Sequence, residues 1–181
     1  MPRQATIERK TKETNIKLTL TLDDYADSII KAPIPFFPHM LNSFAKHGNI
    51  HLNLEAKGDI EVDYHHIVED IGITLGKAFF EALGDKKNIA RYGWAIIPMD
   101  ESLSMVTVDL SNRPHLSYNI PPLYIHSKIG NFDSELIEEF FIAFAHNASL
   151  TLHINVFYGR NAHHIFESIF KAFGIALNQA T

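Results

Sequence analysis

The sequence predicts an α+β fold of two tandem, similar half-domains, residues 1–88 and 89–181. Each is expected to be an antiparallel sheet with two helices on one face. Two observations carry this. The stretch Asp63-Tyr64-His65-His66-Ile67-Val68-Glu69-Asp70 has an echo in Ala162-His163-His164-Ile165-Phe166-Glu167-Ser168. Both copies, moreover, close the same order of elements: a helix, a strand, then a helix opening with HHxxE. The copies lie roughly 100 residues apart, well above the period of solenoid repeats. Duplication of a half-domain explains both observations.

Taken in order, Ile16, Leu18, Leu20 and Leu22 alternate with polar residues, as in a half-buried strand, and Glu13 stands just before it. Pro33 and Pro35 interrupt the chain. Phe37, Met40, Leu41 and Phe44 then mark a helix over residues 36–46, with Gly48 as its stop. Ile50, Leu52, Leu54 and Ala56 form a second strand, and a turn at Lys57-Gly58-Asp59 leads to a short third at Ile60 and Val62. The first HHxxE helix runs from Tyr64 to Leu83, and Gly84 closes it. The second half opens with strands at 92–97, 105–108 and 115–118. Pro121-Pro122 begins a loop, and Ser134 is the expected N-cap of a helix reaching His146. A strand over 150–157 and a turn at Gly159-Arg160-Asn161 precede the last helix, 162–178.

Composition narrows the function. At 181 residues, 46% hydrophobic and 20% charged, the chain can bury a substantial core. A net charge of -5 argues against nucleic acid as a partner. No apolar run approaches the ~20 residues that span a bilayer, so no membrane role is expected. Met1-Pro2-Arg3-Gln4 lacks the apolar core of a signal peptide, and a cytoplasmic protein is the expectation. The absence of cysteine excludes disulfides and thiolate metal sites. Histidine stands out, with 11 residues, four of them in the two adjacent pairs.

On a helix, residues four apart share a face, so His65 with Glu69 and His163 with Glu167 can each grip a divalent ion. His66 and His164 are rotated by about 100° from them, which suggests two metals, or one shared with another chain. His39 and Glu139 each stand five residues before a Phe-Ala pair on the preceding helix. The candidate ligands are therefore His39, His65, His66, Glu69, Glu139, His163, His164 and Glu167, enough for two ions of about four protein ligands each. Lone histidines such as His51, His115, His126 and His153 read as structural. Arg113, in a tight turn, offers a fork-shaped donor for phosphate, and Arg91 stands beside an aromatic strand. These residues leave open a metal-dependent enzyme, a two-metal phosphoester hydrolase and a non-catalytic assembly stapled by metal. A staple has no need of Glu13, Arg91 or Arg113.

The chain resembles the imidazoleglycerol-phosphate dehydratases of histidine biosynthesis. The likeness is carried by Thr11-Lys12-Glu13-Thr14, Phe36-Phe37-Pro38-His39-Met40-Leu41, Glu55-Ala56-Lys57-Gly58-Asp59, both HHxxE stretches, Arg91-Tyr92-Gly93 and Asp109-Leu110-Ser111-Asn112-Arg113-Pro114. The resemblance implies a hydro-lyase converting imidazole glycerol phosphate to imidazole acetol phosphate. It further implies two divalent ions per active site, Mn2+ above all, and self-association as a 24-mer with sites shared between subunits. Glu13 would handle the proton, His47 would sit at the substrate with His39, and Arg91 and Arg113 would bind its phosphate. The likeness departs at Pro38, where the family usually has Asp, and at Glu139, where it usually has His. The family's C-terminal Ser and Lys have no counterpart before the chain ends at Thr181, which implies weaker substrate binding.

Overall fold

The computed structural model describes residues 3–181, and shows two four-stranded sheets with four helices packed between them. The first sheet holds β1 (Gln4–Lys10), β2 (Thr14–Leu22), β3 (Ile29–Lys31) and β4 (Ile50–Gly58), in the order β1-β2-β4-β3. Its helices are α1 (Phe37–Gly48) and α2 (His65–Leu83). The second holds β5 (Tyr92–Met99), β6 (Ser102–Asp109), β7 (His115–Asn119) and a later strand, β10 (Thr151–Tyr158), in the order β5-β6-β10-β7. Between β7 and β10 come a short helix α3 (Pro122–Ile125), the hairpin β8 (Lys128–Ile129) and β9 (Phe132–Asp133), and α4 (Leu136–Asn147). The chain ends in α5 (Ala162–Ala180).

Both sheets are mixed, not antiparallel as expected. β3 runs parallel to β4, and β7 parallel to β10. In each case a helix separates two neighbouring strands of one sheet and carries the chain back to the end where the first of them began, which forces a parallel pair. The predicted strand at Ile60 and Val62 is instead a turn, closed by the Val62 N–H on the Asp59 carbonyl at 2.9 Å. Glu135, not Ser134, is the N-cap of α4. The Ser134 hydroxyl bonds the Tyr124 and Ser127 carbonyls at 2.7 and 2.8 Å and so ties down the loop before the helix.

The alternation read in β2 and β4 is the inner face of the first sheet: Ile16, Leu18, Leu20, Leu52 and Leu54 are all buried. Each helix presents an apolar stripe to a sheet and packs on a helix of the other half, α1 on α5 and α2 on α4. Gly72 and Gly76 make the second contact close. A Cβ at Gly76 would stand 2.7 Å from the Phe144 carbonyl oxygen, and one at Gly72 equally near that of Phe140. Around the helices sits a cluster of fully buried rings including Phe37, Phe44, Phe140, Phe170 and Phe173. Removing one such ring typically costs about 3–5 kcal/mol, so the junction of the halves is a principal source of stability.

Candidate active site

The second HHxxE motif is placed by a local device. Asn161 Oδ1 accepts the His163 backbone N–H at 2.9 Å, starting α5 so that His163 and Glu167 share one face of its first turns. His163 Nε2 lies 3.3 Å from Glu167 Oε2, and His39 Nε2 lies 3.4 Å from the same oxygen. His39 belongs to the other half and arrives because α1 runs beside α5. The helix pairing crosses the halves, so His39 of the first half stands beside the motif of the second. Lys171, one turn on, bonds the other oxygen, Oε1, at 2.8 Å. Burial pushes the Glu167 carboxyl up, but Lys171 and then His39 outweigh it and hold it below its ordinary value.

The first motif is built the same way but more openly. Asp63 Oδ1 accepts the His65 N–H at 2.7 Å, and His65 Nε2 lies 3.8 Å from Glu69 Oε2. Both side chains are 43% exposed, whereas Glu167 is only 11% exposed. Glu139, on α4, holds the place opposite α2 that His39 holds opposite α5. Among the described residues it does not join a close group of potential ligands.

The second histidine of each pair is held by a carboxylate that the sequence reading missed. His66 Nδ1 lies 3.0 Å from Asp59 Oδ2, and His164 Nδ1 lies 2.7 Å from Glu101 Oε2. A proton on Nδ1, donated to the carboxylate, leaves Nε2 with the lone pair a metal ligand would need; Asp100 Oδ2 lies 3.8 Å from Nε2 of His164. These bonds raise both imidazole pKa values, the Asp59 hydrogen bond being the main cause at His66 and the Glu101 bond at His164. Glu101 is driven well below the ordinary carboxylate range, first by His164 and also by backbone N–H groups. Asp59 and Glu101 lie in turns, so no helical spacing relates them to the histidines.

The cationic residues gather elsewhere. Lys86, Arg91 and Arg113 line a cavity of about 510 Å³ with Ile89, Leu110, Ser111 and Asn112. Asp109 anchors both arginines, accepting from Arg91 Nε at 2.7 Å and from Arg113 at 3.4 Å. That pairing, with Arg91 first, holds the Asp109 carboxyl below its usual value. Arg113 is 73% exposed, so the turn fixes it less than its sequence suggested. Lys86 reaches Asn112 Oδ1 at 2.6 Å and steadies that turn. His47 donates its Nδ1 proton to the Ser43 carbonyl, one turn back on α1, at 2.9 Å. Glu13 is exposed in the turn before β2.

Distance decides what these groups can do. Two ligands bonded to one ion at about 2.1 Å cannot be farther apart than ~4.2 Å, and all three His–Glu separations above satisfy this. His39, His163 and Glu167 form the one group of three potential ligands found among the described residues, their donor atoms all within 4.8 Å of one another. The donor set, imidazole and carboxylate without thiolate, suits first-row divalent ions. Arg91 sits at the far end of α5, its N–H on the Ala180 carbonyl at 2.9 Å. At 1.5 Å per residue that helix is roughly 27 Å long, too long for one small substrate to touch both His163 and Arg91 of the same chain.

Fold and site together define an enzyme of duplicated α+β build, with a His/Glu group suited to metal and a separate pocket lined by three cationic side chains. Residues 32–177 match the family model for imidazoleglycerol-phosphate dehydratase. The enzyme of that name from Trichlorobacter lovleyi is 56% identical over 181 residues, all of this chain and 92% of the relative. That of Geobacter sulfurreducens is 54% identical over the same span and share. The crystal structure of the Staphylococcus aureus enzyme superposes with a TM-score of 0.86 at 44% identity, covering 98% of this chain and 97% of that one. The Pyrococcus furiosus structure gives 0.83 at 37% identity, covering 97% and 93%. The chain belongs to the imidazoleglycerol-phosphate dehydratase family.

Proposed function

We infer that the chain dehydrates imidazole glycerol phosphate to imidazole acetol phosphate, a step of histidine biosynthesis, at sites shared between copies of itself. The observation that carries this is the pair of HHxxE grips in a chain 56% identical to a dehydratase along its full length. The hydrolase and metal-staple readings lose their support with the family assignment.

The metal is Mn2+ in this reading, two ions per active site. His39, His163 and Glu167 would hold one, and His65 and Glu69, with Glu139 on the facing helix, the other. His66 and His164, whose Nδ1 atoms are held by Asp59 and Glu101 and whose Nε2 atoms are left for a metal, would complete sites with ligands of a neighbouring copy. When bound, such ions supply Lewis-acid polarisation of the substrate's imidazole and of its leaving hydroxyl. The protein's own groups do the rest. Arg91 and Arg113 would bind the phosphate, His39 and His47 would stand against the substrate, and Glu13, with no side-chain bond to break, would take and return the proton.

The length of α5 between the cationic pocket and His163 supports shared sites, and self-association as a 24-mer is the assembly this reading adopts. The working division of the chain falls after residue 88. No helix among the described residues is long and apolar enough to cross a membrane, and the reading places the enzyme in the cytoplasm. The test is product analysis with Mn2+ and with a chelator. Metal-dependent formation of the keto phosphate supports it. Release of inorganic phosphate, or turnover undiminished by chelation, would refute it.

A further inference from the structure

Glu13 and Glu101 occupy one position in the duplicated fold. In the first sheet Leu20 pairs with Leu52 and Leu18 with Leu54. In the second, Val108 pairs with Leu152 and Val106 with Ile154. Leu52 and Leu152 each stand third after the left-handed residue that ends the preceding helix turn, Asn49 and Ser149. Following this match down the strands sets Thr14 on Ser102, the first residues of β2 and β6, and therefore Glu13 on Glu101.

Their surroundings have diverged. In the second half Glu101 Oε1 accepts the backbone N–H groups of Arg160 and Asn161 at 3.1 and 2.8 Å, while Oε2 holds His164. Oε1 also accepts from the Ser102 hydroxyl at 3.1 Å, so both oxygens are engaged. In the first half Asp59 holds the matching His66. The Asp59 N–H in turn bonds the Glu13 carbonyl at 3.1 Å, which keeps the two turns together. Among the described residues the Glu13 carboxylate has neither a hydrogen bond nor an ion pair.

We propose that Glu101 and Asp59 are positioning residues that aim the second histidine of each motif, and that Asp59, by taking over this task in the first half, frees Glu13 for the substrate. One ancestral carboxylate position thus performs two jobs: an anchor in one half and an open acid–base group in the other. This rests on the metal reading above. A carboxylate behind an imidazole fixes its tautomer and direction, and removing such a partner typically weakens metal binding by about 10–100-fold.

The experiment is Mn2+ titration of the full-length protein, by EPR of the free ion, for wild type, Glu101→Gln, Asp59→Asn and Glu13→Gln. At position 101 the amide oxygen of Gln will face the two backbone N–H groups. Its NH2 then faces His164 Nδ1 and forces the ring proton onto Nε2, where it blocks a ligand. We expect one class of Mn2+ site to weaken about 10–100-fold in Glu101→Gln and in Asp59→Asn. Glu13→Gln should bind Mn2+ as wild type does and lose turnover. The two anchors lie in different halves, so a folding defect in one variant leaves the other to decide. Wild type that binds no Mn2+ would defeat the metal reading itself. Wild-type binding that neither anchor variant changes, or a Glu13→Gln protein as weakened as Glu101→Gln, would overturn this inference alone.

Discussion

His39 Nε2 and Glu167 Oε2 are 3.4 Å apart although 128 residues separate them in the chain and they belong to different halves. The contact exists because α1 packs on α5, so folding of one half completes the grip of the other. A metal held there would bind only a chain whose halves have docked. Stability and metal affinity are therefore linked, and an ion that binds only the native state stabilises it by mass action.

Glu167 should behave as a ligand and Lys171 as its support. Glu167→Gln is expected to weaken one class of Mn2+ site by more than the roughly 10–100-fold typical of an outer partner. Lys171→Met, which removes the cation 2.8 Å from Oε1, should fall within that range. Mn2+ titration of both variants checks the order; equal losses would count against Glu167 as a ligand.

Arg91 should act on substrate binding. A charge-assisted hydrogen bond contributes about 1.5–3 kcal/mol, so Arg91→Ala is expected to lower kcat/KM by roughly 10–150-fold, chiefly through KM. Initial-rate kinetics decide. A KM equal to wild type would remove Arg91 from the phosphate site.

How much of this could be read beforehand follows the range of the interactions. The His–Glu neighbours of each HHxxE motif were legible because residues four apart on a helix must share a face, whatever the fold. The partner of His39 was not, since helix pairing across the halves leaves no local signal. The parallel pairs were missed although a 12-residue helix between strands of one sheet implies them. β1 and the short edge strand β3 also escaped notice. Ile60 and Val62 mimic a strand but lie in the turn that presents Asp59 to His66. Asp59 and Glu101 carry no spacing rule, and only the strand register that equates Glu101 with Glu13 could have drawn attention to Glu101.

The pair Asp109–Arg91 sets a pH dependence. Because Asp109 is held below its ordinary pKa in the folded state, the stability it contributes is present above the unfolded value of about 3.9 and is lost as pH falls through the lower folded value. Thermal melts of wild type and Asp109→Asn should differ by a constant amount near neutral pH, the wild type melting higher. The gap should close only below about pH 4. A gap that instead grew on acidification would contradict the pairing.

Gly76 tests the docking of the halves. Ala at this position sets a Cβ 2.7 Å from the Phe144 carbonyl and 2.9 Å from the Asn147 Cβ. Overpacking of this kind costs about 1–3 kcal/mol, or a fall in Tm of roughly 2–12 °C for a chain of this size. Calorimetry checks this, and an unchanged Tm would mean that α2 and α4 are less closely packed than described.

The most direct measurement is anomalous scattering at the manganese edge from crystals grown with Mn2+. Two ions are expected for each chain, one of them bonded by His39, His163 and Glu167, with Nε2 of His66 and of His164 each on an ion. Full density for the protein with no anomalous peak beside His163 or His65 would contradict it.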